Sequence, residues 1–206
     1  MATAGSVDGR VLRGRRNREA VVASFLALIE EGDLRPTARA IAERAGVSQR
    51  SVFQHFEDLE QIFAEAGSLE AAKLKPLLRP IEVALLFEVR LDTFIELRSQ
   101  LLEAIDPVAR ASRLREPFSA QLRVNRDLFF NAAREQCVET FAPEIGNHPR
   151  RVRQQVADGA AVASSWTTWF GLREEMGLAK DQAAAVVQTM LVQLLDTDAG
   201  REAHRR

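Results

Sequence analysis

A single cysteine, Cys137, leaves the chain no partner for an internal disulfide. With Phe129 and Phe130 nearby, it reads as a buried small hydrophobe rather than a reactive thiol. Histidine is scarce too: His55, His148 and His204 lie far apart. Glu144 and His148 are four apart, but Gly146 and Asn147 between them argue against the helix that would align them, so no metal pair is expected. There is no Gly-rich phosphate loop, no nucleophile elbow and no Glu-x-x-His pair. No catalytic residue, metal or cofactor is therefore expected. No apolar run reaches membrane-spanning length, and Met1 to Gly9 are small and polar with no apolar stretch. Neither export nor membrane insertion is expected, and a cytoplasmic location fits.

Helical patterning fills the space these absences leave. Hydrophobic residues make up 46% of 206 positions, ample for a core. Their spacing is helical throughout, without strand alternation, internal repeat or low-complexity tract. Breaks at Pro76 to Pro80, Asp106-Pro107, Glu116-Pro117, Ala142-Pro143, His148-Pro149 and Met176-Gly177 delimit predicted helices at 58–75, 81–105, 107–115, 118–141, 149–175 and 180–196. Net charge is −1, yet residues 1–18 carry Arg10, Arg13, Arg15, Arg16 and Arg18 against Asp8 alone, a net of +4. Distribution matters more than the sum. Such a stretch can be a solvated tail; beside a nucleic-acid-binding motif it can reach phosphates or a minor groove.

That motif spans residues 37–56. Ile41, Ala42 and Ala45 share one helical face, and Val52 and Phe56 share another. Gly46 between them can take the positive φ that ends a helix. Val47 then enters the angle between the helices and Ser48 is a good N-cap for the second. The pattern is that of a helix-turn-helix, whose second helix lies in the DNA major groove. Residues 18–31 precede it as an amphipathic helix with Val22, Phe25, Leu26 and Ile29 as its stripe, closed by Gly32. Asp58 caps a following helix that bears Leu59, Ile62 and Phe63.

In this order of elements, with Phe53 and His55-Phe56 ending the second helix, residues 18–65 resemble the DNA-binding domain of the TetR family of transcriptional regulators. Some positions depart from the family pattern: Asp33 follows the first helix's glycine, with Leu34 as the candidate apolar plug, Phe53 and Gln54 replace a tyrosine pair, and Leu59 replaces a lysine. The resemblance implies that Gln49 and Arg50 reach base edges, and bidentate geometry suits Gln to adenine and Arg to guanine. It further implies a base or phosphate contact for Arg39, phosphate contacts for Thr37, Ser48, Ser51, Gln54 and His55, and sugar or thymine-methyl packing for Phe53.

The last two predicted helices are unusually apolar. Ala183, Val186, Val187, Met190, Leu191, Leu194 and Leu195 form one stripe, and Val152, Val156, Gly159, Ala163, Trp166 and Phe170 form another with Trp169 beside it. Both stripes can face the chain's own core. Their width and two tryptophans also suit a four-helix interface between two chains, as the family resemblance implies. Trp166, Trp169, Phe170, Val187, Met190, Leu191 and Leu194 are the candidate dimer contacts. In the middle, the stripe with Phe87 and Phe94 is interrupted by Arg98, and the stripe with Phe129 by Asn125, a pattern that suits a pocket for a mostly apolar small molecule. Alternatively, Arg98 snorkels to solvent or pairs with Glu96 or Glu103, and Asn125 sits at a solvent edge.

The predicted fold is all-α: a three-helix DNA-binding domain followed by a larger helical ligand-binding and dimerisation domain. Its segments are a basic flexible arm over 1–17, the helix-turn-helix domain over 18–66, and the helical domain over 67–206. The expected function is a ligand-responsive homodimeric repressor on a palindromic double-stranded operator. A ligand-independent DNA-binding or adaptor protein is the alternative, ahead of an all-helical enzyme. An adaptor leaves the polar second helix of the motif unexplained.

Overall fold

The computed structural model describes residues 4–196, with side chains from residue 11 onward. His204 and the side chains of Asp8 and Arg10 lie outside the described residues. Among those described, the fold is helical without strands: α1 (Ala4–Glu30), α2 (Ala38–Ala45), α3 (Gln49–His55), α4 (Leu59–Leu74), a 3₁₀ turn (Lys75–Leu78), α5 (Phe87–Arg115), α6 (Ala120–Thr140), α7 (Ala142–Asn147), α8 (Arg153–Ala163), α9 (Trp166–Phe170), a π turn (Gly171–Glu175) and α10 (Lys180–Leu195). Two compact units divide the chain, Met1–Lys73 with Pro107–Arg126 and Leu74–Asp106 with Asp127–Arg206.

In the first unit, residues 4–17, expected as a basic arm, are helical and run on into α1. The expected stripe of Val22, Phe25, Leu26 and Ile29 is buried, and Phe25 meets Phe63 edge-on at 4.5 Å between centroids. Local chemistry sets the motif. The Thr37 hydroxyl accepts from the Ala40 N–H at 3.2 Å and starts α2. Gly46, at φ +67°, ends it, and the Val47 N–H turns back to the Ala42 carbonyl. Ser48 caps α3 by accepting from the Ser51 N–H at 3.1 Å, and Asp58 caps α4 through the Gln61 N–H at 2.8 Å. Residues 107–126 complete the unit: Ser119 bonds Glu60, and the Arg115 guanidinium lies 5.1 Å from the Phe63 ring centroid.

The second unit is built around Phe94, Leu97, Cys137, Phe141, Ala160, Trp169, Val187 and Leu191. Phe94 and Phe87 both meet Phe141, at 5.1 and 6.1 Å. Arg90 is buried and engages four of its five donors: Nε donates to the Leu85 carbonyl, Nη1 to the Thr140 carbonyl, and both terminal nitrogens to Glu144. A bidentate arginine–carboxylate pair of this kind ties α5, α6 and α7 together.

Several predicted helix ends shift. The break expected at Asp106-Pro107 is absent, and α5 runs through Pro107. Proline withholds one N–H from the ladder, but Leu101, Ile105, Val108 and Ala111 keep one buried stripe across it. Its start moves from 81 to Phe87. Conversely, the single helix expected over 149–175 is interrupted at Ser164 and Ser165. The Ser165 hydroxyl takes the Thr168 N–H at 3.4 Å, while the Ser164 carbonyl is taken by Arg98 at 3.1 Å. Both groups that would carry the ladder across are thereby engaged. Residues 142–147, expected to be non-helical, form α7; Pro143 at its first turn and the buried Ile145 outweigh Gly146. Glu144 nevertheless serves Arg90, not His148.

Candidate nucleic-acid interface

Seven residues make α3 too short to stand alone. Its orientation comes from two anchors, Val52 and Phe56, both buried. With these turned inward, Gln49, Arg50, Phe53 and Gln54 face outward. Phe53 is 50% exposed, a large apolar ring left in water. The side chains of Gln49, Arg50 and Gln54 make no hydrogen bond or ion pair among the described residues. An unspent guanidinium and two unspent amides on one short helix are groups shaped for base edges.

The flanking candidates surround this helix. The Thr37 and Ser48 hydroxyls are exposed; each accepts from a backbone N–H and keeps its own proton to donate. Ser51 is half-buried. Arg39 is exposed and pairs with Glu43 at 2.7 Å, and that hydrogen bond raises its guanidinium further above the usual value. Exposed pairs of this kind are weak, so a phosphate can compete for the cation. His55 is half-buried against α1: a β-carbon on Gly14 would sit 3.6 Å from its Cε1.

The end of α3 is held by a residue counted in the sequence as loose positive charge. Arg18 donates to the His55 carbonyl, pairs with Glu65 through Nε and Nη2, and lies 4.3 Å from the Phe56 ring centroid. One cation thus caps the negative end of α3's dipole and links α1, α3 and α4. The signal was its register: Arg18 lies four residues before Val22, on the stripe that α1 buries. Arg15 pairs with Glu19 at 2.9 Å, whereas Arg13 and Arg16 are exposed and unpaired among the described residues.

The five residues expected around a pocket fall into different units. Asn125 belongs to the first; Phe87, Phe94, Arg98 and Phe129 belong to the second. Asn125 is half-buried: its Oδ1 accepts from the exposed Gln121 Nε2 at 2.9 Å, while its Nδ2 is buried without a partner, 3.5 Å from where a Gly67 β-carbon would sit. Phe94 is buried, and Phe87 and Phe129 are half-buried. Arg98 is 2% exposed and pairs with neither Glu96 nor Glu103. Its Nη1 donates to the Ser164 carbonyl at 3.1 Å and its Nη2 to the Ala133 carbonyl at 2.7 Å and Gln136 Oε1 at 3.0 Å, over the Phe94 ring at 4.6 Å. Burial pushes its guanidinium down to about 10, so it stays charged at neutral pH. Burial pushes the neighbouring Cys137 thiol up, which keeps it protonated and inert.

Glu103 instead accepts from Trp169 Nε1 and Arg173 Nε, both at 2.8 Å, and Asp106 accepts from Trp166 Nε1 at 3.0 Å. Of the candidate dimer contacts, Trp169, Val187 and Leu191 are buried in the single chain, while Trp166, Phe170, Met190 and Leu194 are half-buried. Gly159 also serves its own chain, since a β-carbon there would come within 3.4 Å of Leu194. Among the described residues no cluster of His, Cys, Asp or Glu is placed to hold a metal ion. No described helix is long and apolar enough to cross a membrane.

Residues 25–66 match the family model of the bacterial regulatory proteins of the tetR family. No curated protein matches the chain in sequence. The fold recurs in a transcriptional regulator from Rhodococcus sp. Rha1, at TM-score 0.66 and 19% identity over 88% of this chain and 95% of that one. It recurs as well in a protein assigned as a transcriptional regulator from Pseudomonas aeruginosa PAO1, at 0.63 and 20% over 96% and 95%. A third, similarly assigned protein from Streptomyces coelicolor A3(2) follows at 0.55 and 19% over 88% and 99%. At these identities the likeness speaks for the fold, and the motif speaks for the family. Over residues 25–66, this chain carries the helix-turn-helix domain of the tetR family of bacterial regulatory proteins, the DNA-binding part of a transcriptional regulator.

Proposed function

We propose that the protein is a homodimeric repressor that reads a palindromic operator with α3 and releases it when a small apolar molecule enters the second unit. The observation that carries the reading is the division of labour on α3: Val52 is spent inward while Gln49, Arg50, Phe53 and Gln54 are unspent and outward. Gln49 and Arg50 read bases; Thr37, Arg39, Ser48, Ser51, Gln54 and His55 hold backbone phosphates; Phe53 covers sugar or a thymine methyl. The half-buried Trp166, Phe170, Met190 and Leu194, with the 56% exposed Val162, supply apolar surface for a second copy. Two α3 helices in such a dimer enter half-sites about one helical turn apart, roughly 34–36 Å.

Gel-shift titration on the upstream DNA of the protein's own gene tests the reading head. Arg50→Ala should weaken binding by about 1–3 kcal/mol and relax preference at one operator position. Equal weakening on all sequences would make Arg50 a backbone contact. Sedimentation of the full chain tests the dimer; a monomer at micromolar concentration counts against it.

A further inference from the structure

We infer that the effector of the second unit is a lipophilic carboxylate whose carboxyl group pairs with Arg98. The inference rests on the sensor reading above and adds the chemical class of what is sensed.

Two arginines are almost fully buried, Arg90 at 3% and Arg98 at 2% exposure, two helical turns apart on α5. Arg90 has a carboxylate, Glu144, on two of its nitrogens. Arg98 has none: among the described residues its only polar partners are two backbone carbonyls and one amide oxygen, all neutral. Those three bonds leave part of a five-donor guanidinium unused, and the buried Nε has no acceptor. Arg115 also has a buried, unpartnered Nε, but its residue is half-exposed, so its charge reaches water. A buried cation without a counter-ion is costly to retain. Carbonyls at the interrupted end of α8 compensate only in part.

The surroundings select what can supply the missing charge. Phe94, Cys137, Trp169 and Ala160 belong to the same buried cluster, and the guanidinium lies over the Phe94 ring. Apolar neighbours of this kind favour an apolar body over a strongly hydrated dianion. A carboxylate can accept from Nε and compete with Gln136 Oε1 for Nη2 in the planar geometry the guanidinium offers. Gln136 has a second bearing on the outcome. Its Nε2 donates to the carbonyls of Leu77 and Arg79 at 3.0 and 2.9 Å, on the segment that directly follows α4.

The test pairs acids with their neutral esters on the full-length protein. Decanoate and cinnamate, each against its methyl ester, are titrated by thermal shift and tryptophan fluorescence, and then into the protein–operator complex. Acids should bind at least about tenfold tighter than esters, because a charge-assisted bond to a buried group is lost in the ester. In Arg98→Met this preference should shrink to within about threefold, with ester affinity little changed. If that variant fails to fold, Arg98→Lys retains the charge and should keep part of the preference, and the comparison in the unmodified protein stands alone. Equal binding of acids and esters, with operator release by both, overturns the carboxylate assignment and leaves the sensor reading intact. Acids that bind through Arg98 without loosening the operator leave the anion site standing and remove the sensor reading. Absence of binding by both classes up to millimolar concentration overturns the assignment.

Discussion

Each unit places one arginine across the end of a helix and over a phenylalanine ring, and the two differ in one partner. Arg18 caps α3 at the His55 carbonyl, lies 4.3 Å from the Phe56 ring centroid, and has Glu65 to balance it at half exposure. Arg98 caps α8 at the Ser164 carbonyl, lies 4.6 Å from the Phe94 ring centroid, and is buried with no carboxylate partner among the described residues. The first is a closed arrangement, complete in the isolated chain. The second is electrically open. The contrast separates a staple, whose work is done on folding, from a group with capacity left over. It places rigidity beside the second helix of the motif and unspent charge in the core of the second unit.

The comparison can be broken by substitution, and the largest effect belongs to neither arginine but to Arg90. Arg90→Met strands Glu144 beside a buried partner site and should lower unfolding free energy by about 3 kcal/mol in urea titration. Arg98→Met strands no charge. It should cost nearer 1 kcal/mol, the price of carbonyls left short of a donor; a loss as large as that of Arg90→Met would mean that Arg98 is as fully compensated as its neighbour. Arg18→Met should be milder still in stability, about 0.5 kcal/mol, because the pair is half in water. Its signature is elsewhere: operator affinity should fall about threefold as the end of α3 loosens, an effect that Arg98→Met should not share.

How far the sequence could be read follows from the distance over which each feature is decided. Thr37, Gly46, Ser48 and Asp58 act on backbone groups within a few residues, so the helix-turn-helix and its orientation were legible. The same holds for the stripe of α1. The interruption between α8 and α9 was not, because it depends on Arg98 arriving from 66 positions away at Ser164. Likewise, the tryptophan stripe gave no hint that Glu103 and Asp106 would claim both indole N–H groups. Proline misled in both directions, being carried through at Pro107 and starting a helix at Pro143. Arg98 was singled out as an interruption in an apolar stripe; that it would lack a carboxylate partner depends on what α6 and the end of α8 bring to it.

The division of the chain has a consequence for how this protein can be assembled or re-engineered. The first unit is not an amino-terminal module, since residues 107–126 belong to it and the chain passes between the units at 73, 106 and 126, each time within helix. A ribosome must deliver Arg115 before Phe63 can meet it, and Ser119 before Glu60 can. A chimera that transplants residues 1–73 alone onto a different partner domain inherits a helix-turn-helix unit with part of its wall missing. The exchangeable piece is discontinuous, and swapping specificity here means carrying the α5–α6 hairpin tip along with the helices that touch DNA.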